Sequence, residues 1–175
     1  MCSISAEQGE TGASKLQLST QPRPRVLVLL AAFNGARWIE RQVRSILEQA
    51  DVDVHLSIRD DGSNDDTRQL LENLRDAGRI QISYAPSASG SAAQNFFALI
   101  RATKADSFDF VAFADQDDEW CTDKLRRGCS ILRESGSSGY SSSVVAVWED
   151  GAERLLSQSH AQTRGDFLFE GAGQG

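Results

Sequence analysis

Hydrophobic residues fall into short groups that alternate between strand-like and helix-like spacing. Residues 26–32 form an uninterrupted apolar run, which predicts a strand buried on both faces. Apolar side chains then recur at helical spacing over residues 39–47. Three further strand–helix pairs follow. Their apolar positions are Val54, Leu56 and Ile58, then Leu70, Leu71 and Leu74; Ile80, Ile82 and Tyr84, then Phe96, Phe97 and Ile100; and Phe108, Phe110, Val111 and Phe113, then Leu125, Cys129 and Leu132.

Four strand–helix units at short spacing predict an α/β fold whose central sheet is mostly parallel and covered by helices on both faces. We expect the fourth strand, residues 108–113, to be largely buried. A hairpin is predicted where residues 144–148 and 154–156 flank an Asp-Gly turn. Residues 1–24 lack periodicity and are expected to be disordered, which leaves 25–175 as the folded part.

Polar loops follow the first, second and fourth predicted strands, at residues 33–35, 60–66 and 115–119. In a parallel sheet of this type, ligands bind outside the carboxyl ends of the strands. The sequence therefore predicts that these three loops converge on one site. Within the second loop, Ser63 and Asp66 resemble a capping box at a helix start.

Composition narrows the function classes. The 175 residues include 18 Lys and Arg against 25 Asp and Glu, giving a net charge of −7, which argues against nucleic-acid binding. No apolar run approaches the roughly 20 residues of a transmembrane segment. Three cysteines without a CxxC pair, and two separated histidines, argue against a disulfide framework or a zinc site. We expect a cytoplasmic protein.

The acidic loop Asp115-Gln116-Asp117-Asp118 is the clearest candidate for chemistry. On an extended loop, alternate carboxylates face the same way. Mg2+ typically binds one or two carboxylates together with substrate phosphates, so a metal could let an acidic chain hold a diphosphate. A solvated surface turn is the alternative, but the preceding apolar strand and the following Trp120 favour a site.

Other candidates have structural alternatives that the sequence leaves open. Asp60 and Asp61 either accept hydrogen bonds from a base N–H or ribose hydroxyls, or decorate a helix start. Asn95 either reaches the site or is a polar start to the third helix. The basic side chains of the fourth helix either form a solvated face or include one that touches phosphate; they are Lys124, Arg126 and Arg127.

Taken together, the motifs of residues 26–35, 60–65 and 113–120 resemble the family 2 glycosyltransferases, which are inverting enzymes of the GT-A fold. The DQDDxW form looks like the rhamnosyltransferase-type branch. The resemblance covers about residues 25–175. One departure is Ala31-Ala32, where the family commonly has Pro-Thr.

The resemblance implies a role for each matching residue. Asp117 would bind Mg2+ or Mn2+, with Asp115 as a second ligand nearer the ribose or sugar and Asp118 as a weaker candidate. Ala32 and Phe33 would line the nucleobase pocket. The full set implied at the nucleotide-sugar site is Ala32, Phe33, Asn34, Asp60, Asp61, Asn95, Asp115 and Gln116.

The implied reaction moves a sugar from a nucleoside diphosphate sugar, dTDP- or UDP-linked, to a hydroxyl of a saccharide or lipid-linked acceptor, with inversion. The resemblance places this reaction in cell-surface polysaccharide biosynthesis. Whether the protein also binds peripherally to the inner face of the membrane is an alternative that the sequence leaves open. The family's catalytic base lies in the acceptor-binding part, so we expect it beyond Gly175. The alternative is a truncated nucleotide-sugar-binding module without turnover. A nucleotidyltransferase would need a basic Gly-rich loop after the first strand, which residues 33–36 lack.

Overall fold

The computed structural model describes residues 22–75, 78–148 and 150–157. Strands and helices alternate through four pairs and then end in two short strands. In chain order they are β1 Arg25–Ala32, α1 Ile39–Leu47, β2 Asp53–Asp60, α2 Thr67–Asn73, β3 Ile80–Tyr84, α3 Ala92–Ala102, β4 Phe110–Asp115, α4 Lys124–Ser135, β5 Val144–Val147 and β6 Glu153–Leu156.

The first four strands form one parallel sheet in the order β3-β2-β1-β4, which confirms the predicted architecture. In the register, Ala32 of β1 lies opposite Asp60 of β2, and Ala31 lies opposite Asp115 of β4. The carboxyl ends of β2, β1 and β4 are therefore side by side, and the three polar loops emerge at the same edge of the sheet.

Alternation along β1 explains why its sequence is apolar throughout. Val26, Val28 and Leu30 pack in the larger core cluster, which includes residues of α1, α2 and α4. Leu27 and Leu29 point to the opposite face and pack with Leu99 of α3. Helices thus cover both faces of the sheet, as predicted from the pattern.

The fourth strand differs from the prediction. Val111 and Phe113 of β4 are 43% and 46% exposed, although we expected a largely buried strand. The reason is position: β4 is an edge strand, and α3 packs over β1 and β2 on that face. On this face, the ring of Phe113 packs edge-on against Phe96 of α3.

Two smaller expectations have different outcomes. The hairpin is confirmed, because β5 and β6 pair antiparallel with Val144 opposite Leu156. The predicted capping box at Ser63 is wrong. The N-cap residue of α2 is Asp66, and its side chain makes no capping hydrogen bond. The Ser63 hydroxyl is used instead by neighbouring loops, as described below.

The predicted disordered segment, residues 1–24, falls mostly outside the described residues; 22–24 have no regular secondary structure. Among the helices that the structure describes, none has the length and apolar character needed to cross a membrane.

Candidate functional site

The loop after β1 has four successive backbone N–H groups that each donate to a side chain from a neighbouring segment. The acceptors come from the loop between β2 and α2, from the first residue of α2 and from the acidic loop after β4. The pairs are Phe33 N to Gln116 Oε1 at 2.6 Å, Asn34 N to Ser63 Oγ at 2.8 Å, Gly35 N to Thr67 Oγ1 at 2.8 Å and Ala36 N to Asp65 Oδ2 at 3.0 Å. We call residues 33–36 the amide loop.

The amide loop therefore differs from a phosphate-binding loop. A phosphate-binding loop or nest turns unpaired backbone N–H groups toward the anion. Here the N–H groups of residues 33–36 are all occupied by protein acceptors. A diphosphate near this edge would need its charge neutralised by something other than these amides.

Gln116 makes two hydrogen bonds to the backbone of one residue. Its Oε1 accepts from Phe33 N, and its Nε2 donates to Phe33 O at 2.8 Å. The side chain also fills the space beside Gly35, where a Cβ would lie 2.5 Å from Oε1. The acidic loop turns at residues 116–117 rather than continuing extended, which corrects the expectation of alternating carboxylates on an extended segment.

Asp60 and Asp61 are both buried at the end of β2, with exposed fractions of 0% and 3%. Asp60 accepts from the Ser63 hydroxyl and lies 3.4 Å from Arg68 Nε. Asp61 accepts from Arg59 at 2.7 Å and from the backbone N and hydroxyl of Ser89 at 2.8 and 2.7 Å. The structure thus places both carboxylates at the predicted edge, already held by protein donors.

The pKa of Asp61 reflects opposing effects. Burial raises it, but hydrogen bonds from Ser89 and the ion pair with Arg59 outweigh burial, so the net pKa lies below its usual value. The carboxylate is therefore ionised in the folded chain, and it ties residues 86–91 to the end of β2.

Asn95, in the first turns of α3, is 2% exposed and points into the sheet edge. Its Nδ2 donates to Ala32 O at 3.2 Å and to Arg59 O at 3.3 Å, while its Oδ1 accepts from Arg59. The structure brings Asn95 to the predicted site, where it pins the ends of β1 and β2 together.

The three carboxylates of the acidic loop lie in a different environment from Asp60 and Asp61. Burial, followed by the charges of Asp118 and Asp117, raises the pKa of Asp115 from 3.8 to about 6. Burial also raises the pKa of Asp118, with Lys124 opposing it. Within the described residues, no cation forms an ion pair with Asp115 or Asp117. In the part of the chain that the structure describes, the loop therefore concentrates negative charge that no cationic side chain pairs with at these two groups.

Three buried polar side chains on and after α1 hold the backbone of the acidic loop and of the segment that leads from it into α4. Gln42 donates to Asp115 O at 3.0 Å, and Ser45 Oγ accepts from Trp120 N at 3.0 Å. Gln49 donates to Cys121 O at 2.7 Å and accepts from Leu125 N at 2.9 Å. These supports were not predicted from the sequence. The signal for them was a row of polar residues at positions 42, 45 and 49, which lie on one helical face beside the apolar stripe.

A cleft of about 1060 Å³ opens beside Asp117 and Asp118, between the starts of α1 and α4 and the β5–β6 hairpin. Cationic and aromatic side chains line it. Those the sequence analysis did not assign to a site are Arg37, Arg41, Trp38, Tyr140 and Trp148. Lys124 and Arg127 also line it, and Arg127 lies 3.9 Å from Asp123. Arg126 does not line the cleft and pairs with Asp51 and Asp123.

The acidic loop fits a divalent cation only in part. Nowhere in residues 22–75, 78–148 and 150–157 do three or more His, Cys, Asp or Glu side chains form a cluster that could hold a metal by themselves. Mg2+ does not need such a cluster, because it commonly binds one or two carboxylates and completes its shell with phosphate oxygens and water. The mutually repelling carboxylates of Asp115 and Asp117, which form no ion pair within the described residues, match that donor set.

Solved structures of low sequence identity share this fold. TarS of S. aureus, residues 1–349 in complex with UDP, matches 70% of this chain and 34% of its own length with a TM-score of 0.57 at 21% identity. The mannosyltransferase PcManGT of Pyrobaculum calidifontis, in complex with GDP-Man and Mn2+, gives a TM-score of 0.55 at 22% identity over 63% of this chain and 32% of its own. The fold is that of the GT-A glycosyltransferases.

The sequence model of glycosyl transferase family 2 matches residues 27–171, so the chain belongs to this family. It is 37% identical over 148 residues to the dTDP-rhamnosyl transferase RfbG of Shigella flexneri, covering 83% of this chain and 51% of that protein. It is 34% identical over 116 residues to the putative teichuronic acid biosynthesis glycosyltransferase TuaG of Bacillus subtilis, covering 66% and 44%. The chain spans about half the length of these relatives.

Proposed function

We infer that this chain is the nucleotide-sugar-binding part of an inverting glycosyltransferase that moves a sugar from a nucleoside diphosphate sugar to an acceptor hydroxyl in surface polysaccharide biosynthesis. Two neighbouring features favour it most. The N–H groups of the amide loop are all occupied, and Asp115 and Asp117 of the acidic loop form no ion pair among the residues that the structure describes. The name of the relative from Shigella flexneri favours a dTDP-sugar donor, with UDP-sugars as the alternative.

Side chains at the sheet edge have proposed roles in holding the nucleoside. Phe33 is 45% exposed at the end of β1, where its ring is available to stack on a base. Ala32, fully buried beneath it, forms the floor, and Asn34 holds the turn through Asn64 N at 2.9 Å. One carboxylate of the Asp60–Asp61 pair contacts the base or ribose through lone pairs that its internal donors leave unused.

The acidic loop has the proposed role of holding a divalent cation against the diphosphate. Asp117, exposed beside the cleft, is the main ligand, and Asp115 is the second. The cation, Mg2+ or Mn2+, supplies positive charge that stabilises the leaving nucleoside diphosphate. The chain's own residues orient the donor, and their rigid attachment to α1 limits the motion of the site.

Calorimetry with dTDP and UDP, with and without Mn2+, tests the proposal. We expect binding that tightens strongly when Mn2+ is present, because the amide loop has no N–H group free for phosphate. Binding that is absent, or equally strong without the metal, in a sample whose circular dichroism shows a folded chain would refute it.

Substitution of the carboxylates separates the metal role from general charge effects. Asp117→Ala should abolish the effect of Mn2+ on nucleotide binding. Asp106→Ala removes an exposed aspartate from the segment between α3 and β4 and serves as the matched control. An Mn2+ effect that survives Asp117→Ala would count against Asp117 as a ligand.

A further inference from the structure

The contact between Gln116 and Phe33 joins two parts of the site that the proposed function assigns to different halves of the donor. Phe33 lies on the nucleoside side, and Gln116 stands between the two carboxylates assigned to the metal, Asp115 and Asp117. We propose that Gln116 is a positioning residue: it locks the acidic loop to the nucleobase wall, so that metal and nucleotide bind cooperatively. This proposal rests on the proposed function.

The geometry supports a clamp rather than a ligand contact. Both polar atoms of the Gln116 amide are bonded to the backbone of Phe33, at 2.6 and 2.8 Å. Two hydrogen bonds to one residue fix orientation as well as distance. An amide used in this way has one N–H and spare acceptor capacity left. Its main effect on ligand binding is therefore to fix the positions of the neighbouring residues.

Gly35 gives an independent view of the same contact. A Cβ at this position would lie 2.5 Å from Oε1 and 2.7 Å from Cδ of Gln116. The obstacle is the end of a flexible side chain, so Gly35→Ala should push the amide away from Phe33 without disrupting the backbone. We expect the Gly35 N–H to keep its hydrogen bond to Thr67 in both the wild-type chain and Gly35→Ala.

Rigid attachment matters because the two carboxylates repel each other and, within the described residues, neither forms an ion pair with a cation. Without the clamp, the acidic loop can relax away from the amide loop, and the metal then binds at a variable distance from the nucleotide. Binding of one ligand to a pre-ordered site helps the other, whereas a loosened site loses that coupling.

The test combines amide hydrogen exchange of the ligand-free chain with calorimetry. In Gln116→Ala, protection of the Phe33 amide should fall about tenfold, while the Asn34 and Gly35 amides keep theirs because Ser63 and Thr67 still hold them. The factor by which Mn2+ tightens dTDP or UDP binding should fall about fivefold or more. Gln69→Ala, which removes an exposed glutamine of α2 whose amide bonds to Asn73, is the matched control.

A double-mutant cycle decides whether the contact itself is responsible. Gly35→Ala should reproduce both effects, and Gly35→Ala with Gln116→Ala should be no worse than Gln116→Ala alone, because both remove one contact. Additive effects, unchanged Phe33 protection, or an unchanged Mn2+ factor in Gln116→Ala would each overturn the positioning role. A wild-type chain that binds neither nucleotide would instead overturn the proposed function, and with it any nucleotide role for Gln116.

Discussion

Replacing Asp115 by asparagine should make the metal-free chain more stable while weakening nucleotide binding. Burial and the charges of Asp118 and Asp117 raise the pKa of this carboxyl from 3.8 to about 6, and no side-chain hydrogen bond to it is found within the described residues. An ionised Asp115 therefore costs stability. The asparagine side chain has nearly the same shape and removes the charge.

The size of the effect follows from the pKa. A difference of one pKa unit corresponds to 1.36 kcal/mol, so the shift from 3.8 to about 6 sets an upper bound of about 3 kcal/mol at pH 7. Partial exposure of the carboxylate lets solvent screen the repulsion, and we expect about 1–2 kcal/mol. For a chain of this length the melting temperature should rise by about 2–8 °C.

The pH dependence has a definite sign. The folded chain binds the Asp115 proton more tightly than the unfolded chain, so the penalty is complete above about pH 6 and disappears as the pH falls toward 3.8. The advantage of Asp115→Asn should therefore be largest at pH 7 and vanish near pH 4. Urea unfolding of both proteins from pH 4 to pH 7.5, without metal, measures this, with Asp106→Asn as the control for surface charge.

Two results would refute the reasoning. If Asp115→Asn lowers the unfolding free energy at pH 7, the carboxylate contributes stabilising contacts in the folded chain. If the gain is the same at pH 4 and pH 7, titration of Asp115 is not its cause.

Three further substitutions test other parts of the structure, each by urea unfolding. Asp61→Ala should cost about 3–5 kcal/mol, because it removes the carboxylate that pairs with the largely buried Arg59 and accepts from Ser89, whereas Asp53→Ala at the exposed start of β2 should cost less than about 1 kcal/mol; equal costs would contradict the importance of the Arg59–Asp61 pair. Gln49→Leu should cost about 1–3 kcal/mol by orphaning Leu125 N, and a neutral result would show that this support is dispensable. Leu30→Ala, at a fully buried position of β1, should cost about 2–5 kcal/mol, and a cost below 1 kcal/mol would contradict its place in the core.

The hydrophobic pattern was sufficient to predict the fold because β1 is buried on both faces and each helix has one apolar stripe. The pattern gave a wrong prediction for β4. Apolar residues such as Val111 and Phe113 indicate that a position can be buried, but they do not indicate which element covers it. The pattern also placed the three polar loops at one edge, which the register of Ala32 with Asp60 and of Ala31 with Asp115 confirms.

The connections within the site were beyond the sequence. Ser63 illustrates the reason: its local spacing suggested a helix cap, yet its hydroxyl bonds Asp60 and Asn34. Gln116 similarly pairs with a residue 83 positions away. Long-range hydrogen bonds depend on how the loops approach one another once the sheet has formed. Neither the spacing of residues along the sequence nor their type predicts that geometry.

The polar face of α1 has a consequence for motion. Gln42 and Ser45 belong to a core helix, yet their side chains hold the backbone of the acidic loop. We expect the backbone groups held in this way to open together with the helix and to exchange as slowly as the helix does. A change in the packing of α1 should then alter the spacing of the carboxylates.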